Sequence, residues 1–129
     1  MKTKIFGTFV LLIITLSFAS LASADGIRKR LKFAKGKSSA TVTGSVVRGD
    51  RDTYIVSAKA GQMMTVKITS LERNAVFQIK DASGEYLQDA GEEDDATSVV
   101  SDLPVTGDYE IIVGGTRSNA SYRMTVAIK

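Results

Sequence analysis

An all-β, antiparallel β-sandwich of jelly-roll-like layout is the fold class this sequence predicts, and three observations predict it. From residue 27 onward the apolar residues recur with a period of two rather than that of a helix. The alternating runs are short and return roughly every 8 to 12 residues. Between them lie clusters of Gly, Asp, Asn and Ser with the composition of turns, and no stretch has helical spacing.

In 27–33, Ile27, Leu31 and Phe33 face one way while Arg28, Arg30 and Lys32 face the other, so the segment reads as a strand with one wet side. Its bases are a usual device for keeping an edge strand from pairing with another chain. In 39–47, Ala40, Val42, Gly44 and Val46 alternate with Thr41, Thr43 and Ser45. In 53–58, Tyr54 and Val56 stand opposite Ile55 and Ser57. Lys59-Ala60-Gly61-Gln62 turns the chain into 63–69, where Met64, Val66 and Ile68 share a face, and the two runs are expected to form a hairpin. Phe77 and Ile79 mark 75–80; Asp81-Ala82-Ser83-Gly84 has turn composition, and 85–88 is a short return strand. After an acidic loop come 96–102, a turn at 104–107, and 109–113 with Tyr109, Ile111 and Val113 aligned. The clearest run is the last, 122–128, with Tyr122, Met124, Val126 and Ile128 on one face. The count is about nine short strands.

The first 24 residues stand apart. Lys2 and Lys4 precede an almost unbroken apolar run over 5–18, and Ala22-Ser23-Ala24 ends it with small residues at the positions signal peptidase reads. The run is short for a bilayer crossing, which needs about 20 residues, so a cleaved secretory signal is preferred to a retained anchor. One β-sandwich domain of 129 − 24 = 105 residues, 25–129, is then expected in the periplasm, with no membrane contact after cleavage. Cleavage removes two of the 17 basic residues and none of the 14 acidic ones, leaving 15 − 14 = +1. What survives is asymmetry: bases crowd Arg28 to Lys37, and Asp81 to Asp95 holds only acids among its charged residues. Export also argues against a nucleic-acid partner, because counterion-release binding needs a polyanion in the same compartment.

The chain has neither Cys nor His. That excludes Ser-His-Asp and Cys-His nucleophilic sites and the nitrogen and sulfur ligands preferred by zinc and copper. No cofactor and no metal site are expected, and the Glu92-Glu93-Asp94-Asp95 run lacks the alternating ligand spacing of a calcium loop. A carboxylate-based hydrolase is the weakest reading, since no paired acid and base stand out. A non-enzymatic binding role leads, carried by the loops 70–74, 89–95 and 114–120, because sandwich strands are committed to packing.

Several segments resemble those of the periplasmic inhibitors of goose-type and invertebrate-type lysozymes. They are Phe33-Ala34-Lys35-Gly36-Lys37-Ser38-Ser39-Ala40-Thr41-Val42-Thr43-Gly44, Asp50-Arg51-Asp52-Thr53-Tyr54, Ala58-Lys59-Ala60-Gly61-Gln62, Leu103-Pro104-Val105-Thr106-Gly107-Asp108-Tyr109-Glu110, and the closing run from Tyr122 to Lys129. The Asp-x-Tyr, Ala-Gly-Gln and Gly-x-Tyr landmarks are similar also to bacterial pre-peptidase C-terminal domains, so they specify the fold better than the function. The resemblance implies a reversible inhibitor that occupies a lysozyme's cleft, with lysozyme as partner. The alternative it leaves is an accessory module that recognises carbohydrate, cell wall or another exported protein. Carried over by residue, the inhibitors' Ser-Gly-x-Tyr motif falls on Thr106, Gly107 and Tyr109, and the arginine of the following loop on Arg117. Thr106 keeps the hydroxyl. A literal Ser-Gly-x-Tyr at Ser83 and Tyr86 has the same residue types elsewhere in the chain. Tyr109 admits a second reading, in which its ring packs and its hydroxyl satisfies a local backbone group.

Overall fold

A computed structural model describes residues 26–129, and the signal segment proposed for 1–24 lies outside the described residues. Eight strands form: β1 (Arg28–Arg30), β2 (Ser39–Val46), β3 (Asp52–Ala58), β4 (Met63–Ser70), β5 (Ala75–Lys80), β6 (Ser98–Asp102), β7 (Gly107–Gly115) and β8 (Ala120–Ile128). They make two four-stranded sheets, β1-β3-β7-β5 and β2-β8-β4-β6. The two longest strands, β7 and β8, are central, each with one face against the other sheet and a strand on both sides. Between the sheets Val126 stands level with Ala40 and Val66, and Met124 with Val42 and Ile68. Tyr54, Phe77, Ile79, Tyr109, Ile111 and Val113 fill the space from the opposite side.

The expected sandwich is present, with three differences. Residues 53–58 and 63–69 were expected as a hairpin, yet β3 and β4 lie in different sheets. The Lys59-to-Gln62 connection is an arch: the Gly61 amide donates to the Leu103 carbonyl and the Leu103 amide to that of Gln62, so the turn bonds to a third segment instead of closing a ladder. Turn composition is the same for a hairpin and an arch, and only the pairing partners separate them. Second, the 85–88 return is reduced to a bridge between Tyr86 and Lys80, with the Leu87 amide on the Ile79 carbonyl. The segment continues along β5, receiving the Ile79 amide at Ala90 and the Phe77 amide at Ala96, and so covers that edge. Third, β1 pairs with β3 in parallel, which makes the sandwich mostly rather than wholly antiparallel. With β1 set aside and the Tyr86 return counted beside β5, the strand order is that of a jelly roll.

The three sequence landmarks have structural work. Asp52 and Tyr54, two residues apart on β3, point into the core toward Tyr122 of β8. Tyr122 donates its hydroxyl to Asp52 Oδ2 (2.6 Å) and accepts from Tyr54 (2.6 Å), tying one sheet to the other. The second Asp52 oxygen accepts the Ile27 amide at 3.0 Å and anchors the approach to β1. Gly44 lies over the Tyr122 hydroxyl, where a Cβ would come within 2.5 Å. Gln62 closes its own turn by accepting the Lys59 amide. Tyr109 is 0% exposed; its hydroxyl donates to the Val105 carbonyl (2.6 Å) and accepts the Val105 amide (3.2 Å), a tyrosine corner that sets the turn before β7.

Candidate functional site

Because β7 runs the length of the sandwich, the loops separate into two ends about 26 Å apart, eight rises of about 3.3 Å. One end gathers the 31–38 loop, the connection 59–62, the turn 81–85 and the turn 102–107. The other gathers 47–51, 70–74 and 114–119.

Thr106, Gly107 and Ser83 share the first end. The Thr106 hydroxyl accepts the Ala60 amide at 2.9 Å. Gly107 has φ 149° and a Cβ there would come within 2.6 Å of that of Ala82, so both the backbone and the neighbouring turn require glycine. Ser83 is drawn into an Asx turn: its amide and hydroxyl both donate to Asp81 Oδ1, and the Glu85 amide joins them. These donors, the Ser83 hydroxyl first, hold the Asp81 carboxyl below its ordinary range. Tyr86 is half-buried beside the same turn, donating to Glu92 at 2.8 Å with Lys80 Nζ over its ring. Both Ser/Thr-Gly-x-Tyr stretches therefore sit at one end, their hydroxyls largely committed to local bonds, and Tyr109 behind them is inside the core.

Arg117 stands at the other end. Its Nη2 donates to the Glu72 carbonyl at 3.1 Å, which leans the 114–119 loop on the 70–74 loop while the guanidinium stays exposed. Asn74, itself buried, donates to the Ser118 hydroxyl and the Asn119 carbonyl, and Asn119 Oδ1 accepts the Arg48 amide at 2.7 Å. The Asn119 side chain is thereby engaged in loop docking. Asn74 and Asn119 thus bind three loops into one platform. Its charged residues are Arg48, Arg51, Arg73 and Arg117 against Asp50 and Glu72, 4 − 2 = +2. Arg123 of β8 lies beside it, across from Thr69. Leu71, at the tip, is 97% exposed, and Val47 is 59% exposed. A shallow depression of about 320 Å³ lies beneath Leu71, lined by Glu72, Asn74, Asn119 and Ser121. Sequence reasoning found Arg117 and missed Leu71 and the other arginines. The available signal was an apolar residue stranded in an otherwise polar turn, Ser70-Leu71-Glu72-Arg73-Asn74.

The acidic stretch along β5 is internally satisfied at Glu92 by Tyr86 and at Asp94, which accepts the Gly91 amide. Among the described residues no group of three or more Asp and Glu side chains converges to hold a metal ion. On the outer face of the first sheet Arg30 grips Asp108 with both terminal nitrogens (3.0 and 2.7 Å), and Ser57 donates to the same carboxylate. Arg30 and then Ser57 pull the Asp108 carboxyl down to about 2.

The fold and the platform define a class, a jelly-roll sandwich that presents four arginines at one loop end. Comparison with known proteins narrows it. The chain is 31% identical to an inhibitor of g-type lysozyme from Escherichia coli (strain K12), across 97% of this chain and 92% of the relative. A crystal structure of a periplasmic inhibitor of g-type lysozyme from Aeromonas hydrophila superposes with a TM-score of 0.69 at 30% identity, covering 82% of this chain and all of that one. The pre-peptidase C-terminal domain of a Bacillus anthracis collagenase shares the fold alone, with a TM-score of 0.57 at 15% identity over 82% of this chain and 97% of that domain. No protein-family model matches the chain. The chain belongs to the family of inhibitors of g-type lysozyme.

Proposed function

We propose that this protein is a periplasmic, non-enzymatic inhibitor of a g-type lysozyme, exported by the 1–24 segment and cleaved before residue 25, and that it docks through the Arg117 end of the sandwich. The function rests on 31% identity to the Escherichia coli inhibitor over nearly the full length of both chains. One observation carries the choice of end: four arginines stand beside an almost wholly exposed leucine on one platform braced by Asn74 and Asn119, whereas the bases of the opposite end, Lys35, Lys37 and Lys59, share it with Asp81, Glu85 and Asp102 and have no apolar side chain so fully exposed beside them. Glycoside hydrolases work with carboxyl groups flanking the scissile bond. An arginine entering such a cleft makes charge-assisted hydrogen bonds to a carboxylate that otherwise faces water or sugar, and a flanking leucine displaces water from the cleft wall.

Thr106, Gly107, Ser83 and Tyr86 lie at the far end, and in this reading they shape the turns there while Tyr109 packs. The test is lysis of a peptidoglycan suspension by goose-type, invertebrate-type and chicken-type lysozymes with and without the purified protein. Inhibition of the goose-type enzyme is expected. No effect on any of the three, with retention on insoluble peptidoglycan, would replace this reading by the accessory-module one.

A further inference from the structure

The sandwich has four sheet edges, and three are guarded. β5 is covered by the 86–96 segment, β1 is three residues long and entirely basic, and β6 is five residues long and ends in Asp102. β2 is different: Ser39–Val46 is eight residues with no charge and no proline. Its register with β8 shows which backbone groups are free. Ile128 donates to the Ser38 carbonyl, which makes Ser39 opposite Ala127 a non-bonded pair, so Ala40, Val42, Gly44 and Val46 exchange bonds with β8. The amides and carbonyls of Thr41, Thr43 and Ser45 therefore point away from the sheet, and none has a backbone partner among the described residues. All three residues are exposed.

We infer that β2 is a self-pairing edge, which joins two copies of this chain about a two-fold axis through Thr43. Antiparallel pairing with Thr43 opposite Thr43 of the second copy sets Thr41 opposite Ser45, and six outward backbone groups on each copy meet their complements. On the inner face the same register sets Val42, half-buried, beside Gly44 of the second copy. At that position the Tyr122 phenol stands where a Cβ would be, so the valine faces that phenol rather than a side chain of the residue it pairs with. An uncharged strand brings no like charges together at the axis, unlike β1, where Arg28, Lys29 and Arg30 would meet their own kind. The pairing joins β2-β8-β4-β6 of each copy into one eight-stranded sheet and leaves both Arg117 platforms open at opposite ends of the dimer.

The exported protein, produced from the full chain, is tested by sedimentation equilibrium over a concentration series. A mass twice that of the monomer at high concentration is expected. Thr43→Pro removes the outward amide without touching the β8 ladder; Thr43→Lys sets two ammonium groups across the axis. Both should be monomeric with unchanged far-UV circular dichroism, and either one keeps the test if the other fails to fold. A monomeric wild type at every concentration, or a dimer that survives both substitutions, overturns the inference. Register is tested on the cysteine-free chain with single thiols. Thr43→Cys places the two Cα atoms about 5.5 Å apart, within disulfide range, and should cross-link on oxidation. Ser45→Cys sets its pair about 14 Å apart and should not. Equal cross-linking of the two overturns the Thr43 axis.

Discussion

Replacing Tyr122 by Phe keeps the ring and removes one oxygen, and that oxygen connects the two sheets. It donates to Asp52 Oδ2 at 2.6 Å and accepts from Tyr54 at 2.6 Å, with Asp52 only 3% exposed. Without it one carboxylate oxygen loses its hydroxyl donor, while the other keeps the Ile27 amide. A hydrogen bond to a charged group contributes about 1.5 to 3 kcal/mol, and the stranded Tyr54 hydroxyl adds about 1 kcal/mol. The expected loss is about 3 kcal/mol, from a domain whose total is about 5 to 15 kcal/mol. At about 4 to 8 °C per kcal/mol for a domain near 100 residues, Tm should fall by about 12 to 24 °C. Urea unfolding followed by far-UV circular dichroism measures it, with Tyr109→Phe as comparator. Tyr109 is as deeply buried but bonds only neutral backbone groups of Val105, so its loss should cost about 1 kcal/mol. A Tyr122→Phe protein within about 0.5 kcal/mol of wild type, or no weaker than Tyr109→Phe, refutes the reasoning.

Arg117→Ala should raise the inhibition constant against goose-type lysozyme about tenfold, the equivalent of about 1.4 kcal/mol, while Thr106→Ala leaves it within about twofold; equal effects would move the contact surface. Leu71→Asp should weaken inhibition at least as much and leave the unfolding midpoint unchanged, since the side chain is exposed and packs on nothing that folding requires. Gly44→Ala should lower the unfolding midpoint, because the added methyl meets the Tyr122 hydroxyl, and Tyr122→Phe should relieve part of that loss. Asp108 gives an acid-side prediction. Its folded carboxyl is depressed to about 2 from an ordinary 3.8, so its contribution is complete above 3.8 and disappears as pH falls through about 2. The protection of the Leu31 amide against hydrogen exchange, relative to an unprotected amide at the same pH, should fall over that window, because it is bonded to Ile55 beside the Arg30 grip, and Asp108→Asn should remove that fall. Tyr122 acts on the alkaline side. Burial first, then the Asp52 carboxylate, raise its phenol above the ordinary 10.0, so its contribution is complete below that value and is lost as pH climbs past it. Alkaline unfolding that begins above pH 10 in wild type and is shallower in Tyr122→Phe is expected.

The faces of the strands were legible because a period of two survives whatever the pairing. Tyr122, Met124, Val126 and Ile128 are inward in the alternation and inward in the fold. Pairing was less legible. The Lys59-to-Gln62 turn looked like a hairpin because its composition reports a reversal and not the sheet that the returning strand joins. The site was half legible. Arg117 was recognisable as a base in a glycine-rich loop, but its distance from Thr106 and Tyr109 was not, because only the length of β7 shows that they stand at opposite ends. Tyr109 looked the same in sequence whether it faced a partner or the core, and its bonds to Val105 decide for the core.

By itself, then, the order of residues determined the fold class: alternation and turn chemistry specify a β-sandwich, and the absence of Cys and His excludes the nucleophilic sites that need them. Tertiary structure alone decided which loops stand together, which edge is bare, and where the buried carboxylate finds its phenol. The physical reason is that face and turn are set by neighbours along the chain. The Asp52–Tyr122 bond, the Asn74 and Asn119 bracing of the platform and the exposed edge of β2 arise between residues that only sheet packing brings together.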